Sequence, residues 1–161
     1  VSPIVVMGVS GAGKSSVGRS LAGRLRVPFA DADDFHPDAN ITKMTAGIPL
    51  TDTDRYPWLE LVGQWLSAHT GGGVIGCSAL KRSYRDQLRR HCPTVEFLHL
   101  SGPPDVIGRR QAYRTGHFMP SALLRSQFDT LEPLAPEERG VTVDVGQDID
   151  TIVADYLARR R

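Results

Sequence analysis

Ile4-Val5-Val6-Met7-Gly8-Val9-Ser10-Gly11-Ala12-Gly13-Lys14-Ser15 opens the chain with a short apolar run and a glycine-rich turn, and Val17, Leu21 and Leu25 then recur at intervals of four. Residues 8–15 satisfy GxxxxGK[ST] in full, and the motif stands where it must, after a strand and before a helix. Its glycines let backbone N–H groups turn inward around a phosphate chain, and the helix behind adds the partial positive charge of its N-terminus. Lys14 can reach the β and γ phosphates, and the Ser15 hydroxyl suits the Mg²⁺ that bridges them. Phosphate contacts are therefore expected from Gly8, Ser10, Gly11, Ala12, Gly13, Lys14, Ser15 and Ser16.

Outward from this motif, further apolar runs lie at Val27–Ala30, Val74–Cys77, Val95–Leu100 and Val141–Val145. They are short and nearly continuous, as strands covered on both faces read. Helical stripes alternate with them: Trp58, Leu61, Trp65 and Leu66, then Ile152, Val153, Tyr156 and Leu157 before the tail Arg159-Arg160-Arg161, which reads as a solvated helix end. Strands alternating with helices predict an α/β fold with a mostly parallel, doubly wound sheet. At 161 residues the chain suits one domain, and 19 Lys and Arg against 18 Asp and Glu give a net charge of +1. That balance argues against a general nucleic-acid binder. Cys77 and Cys92 form no metal-ligand pattern and read as reduced core thiols. No apolar run approaches membrane-spanning length, so a cytoplasmic protein is expected.

A phosphate loop alone does not separate a kinase from a GTPase or a motor. No NKxD guanine signature is present, and the one DxxG match, Asp105 to Gly108, follows Pro103-Pro104 as a helix start. The second strand ends in Asp31-Ala32-Asp33-Asp34-Phe35-His36-Pro37, where ligands gather at the carboxyl edge of a parallel sheet. Alternation along an extended stretch would put Asp31 and Asp33 on one side, one to orient hydrated Mg²⁺ and the other to accept a hydroxyl proton. Arg55, Lys81 and Arg85 can supply charge for an anionic acceptor, while His36 and Asn40 can read hydroxyls. An apolar strand ending in Asp is missing at Val74-Ile75-Gly76-Cys77-Ser78, where Ser78 occupies the place. A small-molecule phosphotransferase fits best.

Residues 31–37, Asn40, Lys43-Met44, Gly47-Ile48-Pro49-Leu50 and Asp52-Thr53-Asp54-Arg55-Tyr56-Pro57-Trp58-Leu59 together resemble the gluconokinase family. So do Cys77 to Asp86, Arg114-Thr115-Gly116-His117-Phe118-Met119-Pro120 and Ser126-Gln127-Phe128-Asp129-Thr130-Leu131-Glu132. The resemblance implies a P-loop, nucleoside-monophosphate-kinase-like fold related to shikimate kinase, with five parallel strands in the order 2-3-1-4-5. It implies one domain over 1–161, with a substrate-binding insertion at about 34–60 and a helical lid at about 109–130. It further implies phosphorylation of D-gluconate at C6 by ATP with Mg²⁺, in a homodimer that contacts neither nucleic acid nor membrane. Lys14, Asp33, Arg110 and Arg114 would be catalytic, and Arg110 and Gln147 would join the phosphate loop in binding nucleotide. Asp33, His36, Asn40, Arg55, Lys81, Arg85 and His117 would bind substrate, and Ser15 would bind the metal with Asp31 acting through water. A kinase for another small anionic acceptor, or a non-catalytic nucleotide-binding regulator, remains the alternative.

Overall fold

The computed structural model describes residues 2–107 and 121–160. Strands β1 (Ile4–Met7), β2 (Phe29–Asp31), β3 (Val74–Gly76), β4 (Glu96–Ser101) and β5 (Gly140–Asp144) form one parallel sheet in the order β2-β3-β1-β4-β5. Val5 of the central strand pairs with Ile75 on one side and Phe97 on the other. The three inner strands are almost wholly buried, as continuous apolar runs require. β2 and β5 depart from that expectation: they are the sheet edges, and each is only partly covered.

The helices that accompany the sheet include α1 (Lys14–Leu25), α2 (Asp38–Thr45), α3 (Asp52–Ala68), α4 (Arg82–His91), α5 (Ser121–Thr130) and α6 (Ile149–Arg159). α1 buries Val17 and Leu21 and packs against α6, whose Asp148 cap accepts a bond from the Thr151 amide at 2.7 Å. α6 buries Ile152, Val153 and Tyr156. α3 pairs with α4, and Gly63 makes their approach possible, because a Cβ there would lie 2.3 Å from the His91 ring. The buried stripe of α3 is Trp58, Leu59, Val62 and Leu66, whereas Leu61 is 43% exposed. The expected stripe was thus rotated by about a third of a turn, because a tryptophan at 65 weighs as apolar in sequence but is only half-buried.

The basic tail also differs from expectation. Arg160 is not a solvated end: it donates to Glu96 at 2.6 Å and lies over the Tyr156 ring. Residues 104–107 are helical, in keeping with a helix start at Asp105. Both cysteines are free and buried. No described helix is long and apolar enough to cross a membrane. The expected lid arginines Arg110 and Arg114, and His117, lie outside the described residues.

Candidate active site

The phosphate loop leaves the carboxyl end of β1 at the centre of the sheet. Gly8 has φ of 149°, and a Cβ there would come within 2.8 Å of the Leu100 carbonyl oxygen, so only glycine allows the loop to lie this close to β4. Gly13, at φ 96°, stands at the N-cap of α1 without a capping side chain. The first-turn amides of α1 therefore face the loop rather than a cap, the arrangement that receives an anion. Lys14 Nζ is held at 3.0 Å from the carbonyl oxygens of both Gly8 and Val9.

The acidic segment after β2 does not continue extended. Ala32–Phe35 forms a 3-10 turn whose N-cap is Asp31, with Asp31 Oδ1 accepting from the Asp33 amide at 3.0 Å. The alternation expected for Asp31 and Asp33 is therefore replaced by a division of labour set by the turn. Asp31 Oδ2 accepts from the Ser15 hydroxyl at 2.8 Å, tying β2 to the phosphate loop. The side chain of Asp33 is 77% exposed and faces a cavity.

That cavity is lined by Ser10 and Lys14 of the loop, by Asp33 and His36, by Arg55 and Trp58 of α3, and by Ser78 after β3. Leu123, Ser126 and Gln127 of α5 line it too, and Met44, Pro49 and Leu50 give it an apolar side. A second groove is lined by Gly11, Ala12, Gly13, Ser16 and Val17 and by Gln147. The phosphate loop thus borders both a cavity holding a carboxylate and cations and a groove that includes Gln147.

Arg55 is buried, and its Nη1 donates to the Tyr84 hydroxyl at 2.8 Å. Tyr84 in turn donates to Asp52, whose carboxylate also accepts from Lys81 at 3.1 Å. The hydroxyl of Tyr84 and the Lys81 ammonium hold the Asp52 carboxyl below its ordinary range. Lys81 is not among the residues lining the cavity, and its ammonium donates to Asp52.

Arg85 departs from the substrate contact expected of it. It is fully buried, and each of its five N–H donors has an acceptor. Nε and Nη2 bind the two oxygens of Glu138 at 2.8 and 3.0 Å. Nη1 donates to Ala79 and Leu80, and the remaining Nη2 hydrogen to Pro133. No donor is left for a substrate. Burial alone would raise the Glu138 carboxyl, but the bonds from Arg85 and the Ala135 amide, with Arg89 beside them, hold it at about 2.

Asn40 is not among the lining residues either, and its amide is bonded to His36 and to the Asp54 carbonyl. His36 stacks on Trp58 with ring centroids 4.2 Å apart. Burial and then the Arg55 charge lower its pKa to about 4, against a weaker pull from Asp31, so the ring is neutral at pH 7. Sequence reasoning assigned no role to Gln127, yet its Oε1 accepts from the Ser10 amide at 2.6 Å and so joins α5 to the phosphate loop. No short-range signal could have found it. Trp58 was read only as a core residue, and its indole also donates to the Ala32 carbonyl at 2.7 Å, fixing the turn that carries Asp33.

Comparison with known proteins shows the family. Residues 10–132 match the family model described as shikimate kinase. The thermosensitive gluconokinase of Escherichia coli K12 is 47% identical over 152 residues, covering 92% of this chain and 81% of that protein. The gluconokinase of Gluconobacter oxydans is 44% identical over 157 residues, 96% of this chain and 88% of that one. The crystal structure of a gluconokinase from Sinorhizobium meliloti 1021 superposes with a TM-score of 0.91 at 51% identity, over 98% of this chain and 90% of that chain. By this identity over most of both chains, and by superposition over almost its whole length, the chain belongs to the gluconokinase family of P-loop kinases.

Proposed function

We propose that this protein transfers the γ-phosphoryl group of ATP to the C6 hydroxyl of D-gluconate, giving 6-phosphogluconate and ADP. The observation that carries the reading is that Lys14 of the phosphate loop, the exposed carboxylate of Asp33 and the guanidinium of Arg55 line one cavity. An aldonate offers a carboxylate for Arg55 and a chain of hydroxyls for His36 and Asp33. Asp33 orients the attacking hydroxyl and takes its proton. In a loose transition state little charge develops on that oxygen, so orientation matters more than base strength. Lys14 offsets charge on the transferring group, and Gly8, Ser10, Gly11, Ala12, Gly13, Ser15 and Ser16 supply the loop around the phosphates. Gln147, in the second groove, is suited to the adenine.

The site also suits a divalent cation. Among the described residues there is no cluster of three His, Cys, Asp or Glu able to hold one, and phosphate oxygens, water and the Ser15 hydroxyl are the ligands proposed for it. Asp31, bonded to Ser15, would act through a water. Bound there, Mg²⁺ would neutralise phosphate charge. By family resemblance Arg110 and Arg114 serve the phosphates and His117 the acceptor. A cytoplasmic homodimer supplying the pentose phosphate pathway is the setting that the same resemblance suggests.

A panel of acceptors assayed by coupled ADP release tests this reading. Gluconate should be turned over much faster than glucose, which leaves Arg55 without a carboxylate. Equal kcat/KM for the two would reject the pocket. Faster turnover of shikimate, the second reading raised by the family-model match, would reassign the acceptor.

A further inference from the structure

His36 precedes α2, and Asn40 lies one turn later within it. The Asn40 side chain reaches two groups, the backbone carbonyl of Asp54 at 3.0 Å and Nδ1 of His36 at 3.2 Å, both through Nδ2. A backbone carbonyl can only accept. Turning the amide over would set Oδ1 against that carbonyl oxygen, acceptor to acceptor, so the first contact fixes which end of the amide is which. The second Nδ2 hydrogen then points at Nδ1 of His36, which must accept it, leaving the ring proton on Nε2.

The carbonyl that fixes the amide is itself anchored. Asp54 forms a reciprocal cap with Thr51 at the start of α3, and its carboxylate accepts from Lys43 of α2 at 2.8 Å. The imidazole is held on its face by Trp58. Its Nε2 lies 3.9 Å from Asp33 Oδ1, too far for a direct hydrogen bond, in the wall of the acceptor cavity.

We propose that Asn40 is a positioning residue that locks His36 as the Nε2–H tautomer, so that His36 meets the substrate only as an uncharged hydrogen-bond donor. This rests on the reading of the cavity as the acceptor site and narrows it. Arg55 and His36 then both require acceptor oxygens, and Asp33 is the carboxylate of the cavity that takes a hydroxyl proton. The cavity selects a molecule with an anionic or ether-like oxygen face at one end and a free alcohol at the other, and rejects an amine at the His36 position. The charged groups facing the ring are Arg55 from α3 and Asp31 and Asp33 from the preceding strand and turn; burial first and the Arg55 charge second keep the ring neutral.

The test begins on the unaltered enzyme without substrate. Nitrogen-15 labelling of its five histidines and long-range proton–nitrogen correlation should show, for His36, an acceptor-type Nδ1 and a protonated Nε2 that persist from pH 8 to about 5. A protonated Nδ1, or titration near the ordinary histidine value, would overturn the lock. Asn40→Asp places an acceptor against Nδ1, so the tautomer should switch and the histidine pKa rise. KM for gluconate should rise about 10- to 100-fold, with kcat within about threefold. A switched tautomer with unchanged KM would overturn the recognition role of His36 while leaving the lock in place. His36→Gln, which keeps a neutral donor, should recover much of the affinity lost in His36→Ala, and equal losses in the two would count against donor recognition. Failure of gluconate as an acceptor would sink the function proposed above without touching the spectrum.

Discussion

Arg55 on α3 and Arg85 on the adjoining α4 are both withdrawn from solvent, and their surroundings treat the guanidinium in opposite ways. Around Arg85 every donor is answered by the protein, and the group joins the 79–80 turn to the 133–138 segment. Around Arg55 one described contact, the Tyr84 hydroxyl, fixes the plane of the group and leaves its remaining edge in the cavity wall. A buried arginine becomes structural or functional according to how many acceptors its neighbours supply. Two buried arginines on adjoining helices can sit on either side of that line.

Substitution should separate the two regions cleanly. Arg85→Ala leaves the Glu138 carboxylate buried without its fork, so unfolding free energy should fall by about 3–5 kcal/mol. Urea melts measure this, and KM for gluconate of the folded fraction should stay near the parent's. Arg55→Ala should do the reverse. Its kcat/KM for gluconate should drop by roughly 10²- to 10³-fold, in line with the cost of truncating one partner of a buried charge pair, while the melting temperature shifts little. Were Arg55→Ala to weaken glucose and gluconate turnover equally, the contrast would collapse.

Acid should sharpen the comparison further. His99, buried on β4 near Arg85, has neither ring nitrogen bonded among the described residues, and burial lowers its pKa to about 4. The unfolded chain binds a proton near the ordinary histidine value of 6.5 and the folded chain near 4, as for His36. Their stabilisation is therefore complete above about pH 6.5 and declines as pH falls towards 4. Glu138 adds a second decline, from about 4.5 down to 2. Thermal melts at pH 7 and 5 should show the first loss, and His99→Gln should flatten it; an unchanged slope would remove His99 from the account. Smallest is the effect of Tyr84→Phe, which removes one bond to Arg55 and one to Asp52. KM should rise about 2- to 10-fold, in proportion to the one bond lost by Arg55, with a stability loss of about 1–2 kcal/mol for the two bonds together.

Much of the fold could be read in advance because its signals are local. The phosphate loop occupies eight consecutive residues, and each inner strand is one apolar run. The order of the strands came from family resemblance, since apolar runs carry no record of their neighbours. Within the site, Lys14 and Asp33 were legible from their own segments. Arg85 was misread because its partner Glu138 lies 53 positions away, and Gln127 was missed because the amide it meets is 117 positions away. Asp31 shows a third kind of limit. Its residue type fits a cap and a metal relay equally, and only the turn geometry shows that one oxygen caps while the other meets Ser15.

The two thiols have a practical consequence. Cys77 and Cys92 are each 1% exposed, and burial raises the Cys77 pKa to about 12, so its reactive thiolate is scarce at neutral pH. Maleimide and iodoacetamide reagents should leave the folded enzyme unlabelled. A cysteine introduced at an exposed position such as Ile41 on α2 would then be the single reactive handle in the molecule. A fluorophore attached there would report movement of α2 relative to Trp58 without any need to remove the native sulfurs.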